Sequence, residues 1–228
     1  MKPARKLNCV VVGASSGIGL KIAEHLAKDG NNVYGFARRF EANPVANDDL
    51  FMKRSLDVTD SEAVKNAFDS LFDVDAFVYS AGGALFSEPM DTSQEDLDAM
   101  WKVHVSGAWA CFENIFPKLV RETSIAIAVG SIAGTMYTPG CMAYAMAKTA
   151  QRVLWEHMVA PCRERGVRTT YVALGAVDTP LWDPIKNTSR QGMLNAQDVA
   201  QKVVQCIHEP SLHTPELTIL PKKGLIER

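Results

Sequence analysis

Short apolar runs that alternate with amphipathic segments constrain the fold of this 228-residue chain more than any other feature of its sequence. Between the runs, apolar residues recur at helical spacing, as Ile18, Ile22 and Leu26 do before Gly30 ends the segment. Runs as short and apolar as these are typical of strands buried in a sheet. The predicted strands are Asn8 to Val12, Asn32 to Ala37, Leu50 to Leu56, Ala76 to Tyr79, Ile125 to Val129, Thr169 to Ala173 and Leu217 to Leu220.

The alternation predicts parallel strands with helices on both faces, an α/β doubly wound sheet of the three-layer Rossmann type, in a single domain over residues 1–228. Asp60 is placed to cap the helix after the third strand, and further helices are predicted around Tyr144 and over Asp198 to Ile207. One long helix before the fifth strand is predicted to turn five residues inward: Leu97, Trp101, Val105, Ala108 and Phe112. Ligands bind at the carboxyl ends of parallel strands, so the loops that follow the strands are the candidate site.

Charge and cysteine content exclude several classes of function. A formal net charge of -2 argues against nucleic acid or an acidic membrane as a partner. The five cysteines form no CxxC pair and no metal-like spacing with histidine, which indicates a reducing compartment and no metal site. No signal peptide is evident, and no apolar run reaches the ~20 residues that span a bilayer. We therefore expect a cytoplasmic protein that does not interact with membranes.

The segment Val12 to Gly19 joins the first strand to the first helix and is rich in glycine. Glycine lets the backbone approach a pyrophosphate closely, and the start of a helix offers unpaired N–H groups and a favourable dipole. Ser15 and Ser16 add hydroxyl donors. An ordinary Gly-Ser turn is the alternative, but the strand–turn–helix context favours a dinucleotide site. Its glycines are Gly13, Gly17 and Gly19.

Arginines, and no acid, follow the second predicted strand. Arg38 and Arg39 stand where a site for NAD carries an acid, and the next carboxylate is Glu41. A guanidinium pairs with the 2′-phosphate of NADP, whereas the ribose of NAD offers it no anion. The sequence therefore predicts a preference for NADP(H). Asp57, after the third strand, is either a contact for the adenine amino group or a neighbour of a helix cap.

Tyr144 and Lys148 lie four residues apart on a predicted helix and therefore on one face of it. A tyrosine hydroxyl is a poor base at neutral pH, and a neighbouring cation is expected to lower its pKa toward the working range. Ser131, in a loop after a strand, is placed to hydrogen-bond a substrate oxygen as negative charge develops on it. Alternatively, Tyr144 and Lys148 are merely neighbours on a helix surface.

These residues resemble the short-chain dehydrogenase/reductase family over essentially the whole chain. The segments that carry the resemblance are Val12 to Gly19, Tyr79 to Gly82, Leu174 to Pro180, and the trio of Ser131, Tyr144 and Lys148. The resemblance implies a proton-transferring Tyr144, a Lys148 that also holds the nicotinamide ribose, and a carboxamide contact at Val177 and Thr179. The candidate cofactor-binding residues are Gly13, Ser15, Ser16, Gly17, Ile18, Gly19, Arg38, Arg39, Asp57, Val58, Ser80, Ala81, Gly82, Tyr144, Lys148, Gly175, Val177 and Thr179.

The chain departs from the family's pattern at three positions. His104 stands where the family carries a catalytic asparagine that is thought to keep a water behind the lysine. A histidine could do this through a ring nitrogen, with a pH dependence near ~6.5, or it could be a satisfied core residue. Ser80 replaces an asparagine and Leu174 a proline, and both changes concern the cofactor loops.

The residues expected to border a substrate are mostly apolar: Gly83 to Phe86, Met136, Tyr137, Cys141, Met142, Leu181 and Trp182. We therefore expect an NADPH-dependent oxidoreductase that acts on a neutral, fairly apolar carbonyl or alcohol, a carbonyl reductase in the reducing direction. The alternative is a dinucleotide-sensing or scaffold protein with little turnover. The resemblance also implies a homo-oligomer, a dimer or tetramer, packed through the helices of His104 and Tyr144.

Overall fold

A seven-stranded parallel sheet lies at the centre of the computed structural model, which describes residues 5–40, 49–120, 122–185, 188–211 and 213–222. The strand order is β3-β2-β1-β4-β5-β6-β9, and every neighbouring pair is parallel. The predicted doubly wound α/β sheet is thereby confirmed. Its strands are β1 (Asn8–Val12), β2 (Asn32–Ala37), β3 (Phe51–Ser55), β4 (Ala76–Tyr79), β5 (Ile125–Val129), β6 (Arg168–Leu174) and β9 (Glu216–Ile219).

Helices cover both faces of this sheet, because its central strands are apolar on both sides. On one face, Cys9 and Val11 of β1 belong to the same core as Ile22 and Val203. On the other face, Val10 and Val12 point into a core with aromatic side chains from three helices. The helices are α1 (Gly17–Lys28), α2 (Ser61–Asp69), α3 (Gln94–Trp101), α4 (Gly107–Ile115), α5 (Met142–Glu164) and α6 (Ala196–His208).

The strand order reverses between β1 and β4, which are paired in register from Cys9 with Ala76 to Val12 with Tyr79. The chain first winds outward through β2 and β3 and then returns to the other side of β1. At such a reversal the loops leave in opposite directions, so a crevice opens at the carboxyl ends of the strands.

Strand and helix ends agree with the sequence predictions to within one or two residues. β3 is one residue shorter at each end than expected, and β6 is one residue longer at each end. The expected cap is confirmed, since Asp60 Oδ1 accepts a hydrogen bond of 2.9 Å from the Ala63 N–H at the start of α2.

The predicted long helix before β5 is interrupted, and the prediction of its inward face is wrong in part. A π-helical turn, Lys102–Ser106, separates α3 from α4, and the Gly107 N–H bonds to the Lys102 carbonyl five residues back. A π turn takes up about one extra residue, which rotates the preceding apolar positions away from the core. Trp101 is therefore 48% exposed, and Leu97 and Val105 are only half-buried. Ala108 and Phe112, beyond the turn, are buried as predicted.

The helix α5 runs along the sheet and turns one stripe of side chains toward the core, formed by Lys148, Gln151 and Trp155. Trp155 packs against Phe77 and Phe112 at ring-centroid distances of 6.3 and 5.4 Å. Among the described residues, neither α5 nor any other helix is both long and apolar enough to cross a membrane.

A small second sheet, β7 (Val177–Asp178) with β8 (Leu194–Asn195), stands beside the carboxyl ends of the main strands. It was not predicted from the sequence. Its two strands enclose a segment that carries Trp182 and bring that segment back to the start of α6.

Candidate active site

The crevice at the strand reversal holds a cavity of about 700 Å³. Every residue predicted to bind a cofactor or to act in catalysis lines it, with Gly19 as the exception. Most of these residues lie at or beyond the carboxyl ends of strands, which the parallel sheet brings to one edge. The predicted residues that line the cavity are Gly13, Ser15, Ser16, Gly17, Ile18, Arg38, Arg39, Asp57, Val58, Ser80, Ala81, Gly82, His104, Ser131, Tyr144, Lys148, Gly175, Val177 and Thr179.

Two glycines shape the loop between β1 and α1. Gly13 has a φ of +89°, and a Cβ there would lie 2.5 Å from the backbone nitrogen of Ala81. Gly19 sits beneath the loop, where a Cβ would lie 2.2 Å from the carbonyl oxygen of Gly13. Gly19 therefore supports the loop by close packing and does not line the cavity. The first N–H groups of α1 lie at the cavity wall, and Ser16 is the residue that precedes the helix.

Arg38, Arg39 and Asp57 form the end of the cavity beside β2 and β3. Both arginines are exposed and line the wall. Asp57 Oδ1 accepts hydrogen bonds from the backbone N–H and the hydroxyl of Thr59, at 2.9 and 2.8 Å. The Thr59 N–H, with a smaller contribution from the Arg38 charge, lowers the pKa of Asp57. The geometry thus gives Asp57 a role in the turn that precedes the α2 cap, beside its place on the wall. Glu41 lies outside the described residues.

Ser131, Tyr144 and Lys148 come together at the other end of the cavity. Ser131 follows β5, and its Oγ accepts a hydrogen bond of 3.1 Å from the Ala133 N–H, which fixes the turn. The Ser131 hydroxyl is close enough to Tyr144 to lower the pKa of the phenol. Lys148 Nζ lies 5.8 Å from the centroid of the Tyr144 ring. Lys148 is buried and Tyr144 half-buried, and both line the cavity, so they are neighbours in one site and do not lie on a solvated helix surface.

Burial shifts the pKa values of Tyr144 and Lys148 in opposite directions. It raises the pKa of Tyr144 to about 12, although the neighbouring Ser131 hydroxyl acts to lower it. It lowers the pKa of Lys148 to about 7. The expected lowering of the Tyr144 pKa toward neutrality is wrong in this structure, because desolvation of the phenolate outweighs the opposing effect of Ser131. Near neutral pH Tyr144 is thus protonated, and Lys148 is close to its midpoint.

His104 reaches the same site from the π turn. Its Nε2 lies 2.8 Å from the carbonyl oxygen of Gly83, and its ring meets the Tyr144 ring edge-on at 5.4 Å. Nε2 therefore carries the proton, and Nδ1 is a buried acceptor that finds no partner among the described residues. A Cβ on Gly82 would lie 2.3 Å from His104 Cε1, so the glycine makes room for the ring.

The expected titration of His104 near ~6.5 is also wrong. Burial, and then the Lys148 charge, lower the pKa of His104 to about 3. The imidazole is therefore neutral near pH 7, where Lys148 is partly charged. His104 joins the site as a neutral hydrogen-bonding group.

Sequence reasoning missed Gln151, which is fully buried on α5. Its Oε1 accepts a hydrogen bond of 2.9 Å from Lys148 Nζ. The signal was present, because Tyr144, Lys148, Gln151 and Trp155 recur at helical spacing on one face of the helix. A polar residue on a buried stripe needs a partner, and here the partner is the candidate catalytic lysine.

Comparison with known proteins places this arrangement in a family. The family model for short chain dehydrogenases matches residues 8–190. The chain belongs to the short-chain dehydrogenase family. Curated relatives include an uncharacterized oxidoreductase of Staphylococcus epidermidis, 28% identical over 234 residues, 97% of this chain and 100% of the relative. Another, from Staphylococcus aureus, is 29% identical over 223 residues, 93% of this chain and 96% of the relative. This dehydrogenase is therefore an oxidoreductase.

Solved structures share the fold at lower identity. An alcohol dehydrogenase from the archaeon Thermococcus sibiricus, complexed with 5-hydroxy-NADP, superposes with a TM-score of 0.85 at 24% identity over 98% of this chain and 100% of that chain. The closed form of serine dehydrogenase complexed with NADP+ gives 0.83 at 23% identity, over 97% of this chain and 100% of that chain. The likeness confirms the predicted Rossmann-type fold of the dehydrogenase.

Apolar side chains enclose the cavity beside Tyr144 in this dehydrogenase. Phe86 and Trp182 both line it and pack against each other, with their ring centroids 5.1 Å apart. Trp182 is fixed there, since its Nε1 donates a hydrogen bond of 2.9 Å to the Val177 carbonyl. The expected border residues found on the wall are Gly83, Ala84, Phe86, Cys141, Leu181 and Trp182.

Four expected border residues are not on the wall: Leu85, Met136, Tyr137 and Met142. Tyr137 is 89% exposed, because the loop before α5 turns it outward to solvent. Thr138 and Pro184, which were not predicted, line the wall instead. Closeness to Tyr144 in the sequence does not determine whether the side chains of this loop face the cavity or the solvent.

Cys141 lies on the wall as a buried thiol. Its Sγ donates to the Thr138 carbonyl at 3.3 Å, and burial raises its pKa. A thiol with a raised pKa is a poor nucleophile, so Cys141 is an inert part of the wall. Within the described ranges, no group of three or more His, Cys, Asp or Glu side chains is placed to hold a metal ion.

We predict that His104 destabilises the folded dehydrogenase in mild acid. Its pKa is about 3 when folded against an ordinary value of 6.5, so the unfolded chain takes up the proton first as the pH falls. The contribution of the neutral His104 to the free energy of unfolding is complete above pH 6.5 and is lost progressively toward pH 3. Relative to His104→Asn, the free energy of unfolding should fall by about 2 kcal/mol between pH 6.5 and about pH 5, measured by denaturant unfolding.

His157→Asn, at an exposed position on α5, is the matched control and should follow the wild type at every pH. If the free energy of unfolding changed with pH by the same amount in wild type and His104→Asn, the imidazole would not be held neutral by burial.

Proposed function

We propose that this dehydrogenase transfers a hydride between NADP(H) and a neutral, fairly apolar carbonyl or alcohol, with Tyr144 as the general acid and base. The observation that carries the proposal is a single cavity with the glycine loop at one end and Ser131, Tyr144 and Lys148 at the other. The Thermococcus alcohol dehydrogenase and the serine dehydrogenase, both described in complexes with NADP-type cofactors, support the choice of cofactor.

The cavity walls fit a dinucleotide. The loop at Gly13 and the first N–H groups of α1 would hold the pyrophosphate, because backbone donors and the helix dipole favour an anion. The exposed Arg38 and Arg39 would pair with a 2′-phosphate. Val177 and Thr179 would meet the carboxamide, and Lys148 the nicotinamide ribose. The cofactor supplies the hydride, and this chain supplies binding and proton transfer.

Proton transfer falls to Tyr144, which is protonated at neutral pH. In the reducing direction, the Ser131 hydroxyl donates a hydrogen bond to the carbonyl oxygen as negative charge develops there. Tyr144 gives its proton to that oxygen, and the alcohol is formed. The phenolate left on Tyr144 is stabilised by the charge of Lys148, whose Nζ lies close to the ring.

The apolar wall suits the proposed substrate. Apart from Lys148, which lies beside Tyr144, the described residues that line the Phe86–Trp182 end include no arginine or lysine to meet a carboxylate or phosphate. Burying an unpaired anion beside these rings would cost several kcal/mol. Neutral ketones, aldehydes, diketones and quinones are therefore the first compounds to assay.

We expect the purified protein to oxidise NADPH in the presence of at least one such carbonyl, and Tyr144→Phe to lose turnover by about a hundredfold or more. The variant keeps the ring and removes only the proton that is transferred. Measurement is by absorbance of NADPH against a panel of carbonyl compounds, with a ketoacyl thioester included. Tyr137→Phe removes an exposed hydroxyl from the same loop region and should leave turnover unchanged.

The outcomes of this assay separate two functions. Turnover that is lost in Tyr144→Phe and kept in Tyr137→Phe supports the enzyme. Tight NADPH binding with no turnover on the panel would favour a dinucleotide-sensing or scaffold role. Absence of binding by either nicotinamide cofactor would contradict both.

We predict that Arg38→Asp weakens NADPH binding about ten- to a hundredfold and leaves NADH binding nearly unchanged. The reason is the loss of a charge-assisted hydrogen bond to the 2′-phosphate, a contact worth roughly 1.5–3 kcal/mol. Dissociation constants from cofactor fluorescence give the ratio. Arg163→Asp, an equal charge change at the exposed end of α5, is the control. NADPH affinity that is the same in Arg38→Asp and wild type would remove Arg38 from the site.

We propose further that the dehydrogenase is a homo-oligomer, a dimer or tetramer, packed through α3, α4 and α5. The support is a set of large apolar side chains on these helices that are 42–52% exposed in one copy: Trp101, Trp109, Met146 and Val153. Large exposed apolar groups of this kind mark protein interfaces. The same helices carry Tyr144, and the π turn between α3 and α4 carries His104.

Trp109→Glu is expected to shift the protein to monomers at micromolar concentration, because it places a charge in the proposed interface. Light scattering coupled to size exclusion measures the mass. Phe72→Glu, at a side chain that is 75% exposed in the segment between α2 and β4, should leave the mass unchanged. A wild type that is already a uniform monomer would contradict the proposal.

A further inference from the structure

Gln151 links two parts of the site that are distant in sequence. The side chain is fully buried, and both ends of its amide are occupied. Oε1 accepts from Lys148 Nζ at 2.9 Å, and Nε2 donates to the carbonyl oxygen of His104 at 3.0 Å. A buried amide is costly without such partners, so this geometry is strongly selected over other rotamers. The amide thus bridges α5 to the π turn.

Lys148 depends on this bridge, because its other acceptor is also neutral. Nζ donates to the Val129 carbonyl at 3.0 Å and to Gln151, and among the described residues no carboxylate oxygen lies within 4.0 Å of it. Hydrogen bonds from a charged donor are roughly twice as strong as neutral ones. Two oriented oxygens therefore offset the burial of the ammonium.

The titratable groups around Lys148 add no negative charge near neutral pH. They are Tyr144 on the same helix, His104 on the π turn and Tyr171 on β6, whose hydroxyl donates to the Lys148 carbonyl at 3.3 Å. Burial raises the pKa of both tyrosines, and His104 is neutral. Gln151 is thus one of the two groups through which the protein directly stabilises the Lys148 charge.

We propose that Gln151 is a positioning residue, whose amide ties Lys148 Nζ to the backbone oxygen of His104, aims the amine at Tyr144 and stabilises its ammonium form. The consequence for turnover rests on the proposed function. An amide accepts at Oε1 and donates from Nε2 without exchanging a proton between them, so the contact holds Lys148 and does not carry protons away from it.

Two variants of similar shape should displace the titration of Lys148 in opposite directions. Gln151→Met removes the acceptor, so the alkaline limb of kcat/KM for carbonyl reduction should move down by about one pH unit, with kcat reduced about ten- to a hundredfold. Gln151→Glu supplies a carboxylate, so the limb should move up by about one unit or more. In the wild type the limb should lie near pH 7. Gln205→Met, on the exposed face of α6, should keep the wild-type profile.

A second measurement needs no turnover. Reductive methylation of Lys148 by isotopic formaldehyde, read by peptide mass spectrometry, proceeds through the neutral amine, so its rate against pH reports the same titration in the cofactor-free protein. Opposite shifts in Gln151→Met and Gln151→Glu support the proposal, even if no carbonyl substrate is found and the proposed function fails. If one variant does not fold, the shift in the other decides.

Unshifted titrations in the variants that fold would overturn the proposal, whatever their activity or stability, because a merely structural role changes stability and leaves the Lys148 midpoint in place. If the wild-type enzyme turns over and the Lys148 titration is unshifted in the variants, the proposed function would stand, and Gln151 would have no part in it.

Discussion

The site is built around one costly group, the buried amine of Lys148. An ammonium loses its hydration on burial, and only oriented acceptors offset that loss. Here the acceptors are the Val129 carbonyl at the end of β5 and Gln151 on α5. Strand β5, helix α5 and the π turn must therefore keep their relative positions, since a displacement of about 1 Å would break the hydrogen bonds that hold the amine.

The π turn, which helps to hold Lys148 in place, was not expected from the sequence. It delivers two groups from one residue: the His104 ring, which meets Tyr144, and the His104 carbonyl, which accepts from Gln151. A regular helix would distribute side chain and carbonyl differently, and single π turns are often found at functional sites. The missing side chain of Gly82 completes the arrangement, because any Cβ there would occupy the place of the imidazole.

Much of the fold and site follows from local rules. Apolar runs predicted the strands, parallel pairing brought their loops to one edge, and helical spacing put Tyr144 and Lys148 on one face. The failures all depend on tertiary environment. One extra residue in the π turn exposed Trp101, and burial set the pKa of His104 and of Tyr144 against expectation. Outward rotation of one loop removed Tyr137 from the wall.

Burial displaces the pKa values of Tyr144 and Lys148 so that each charge, taken alone, is disfavoured in the site. At rest, a protonated Tyr144 carries no charge, so it gains little from the amine beside it. In the proposed reaction, a phenolate and an ammonium face each other once the proton has left, in a medium of low dielectric constant where their attraction is far stronger than in water. Stabilisation that grows along the reaction lowers the barrier, whereas equal stabilisation of both states does not. A neutral His104 serves the same end, because a second cation there would disfavour the charge on Lys148 just when Tyr144 requires it.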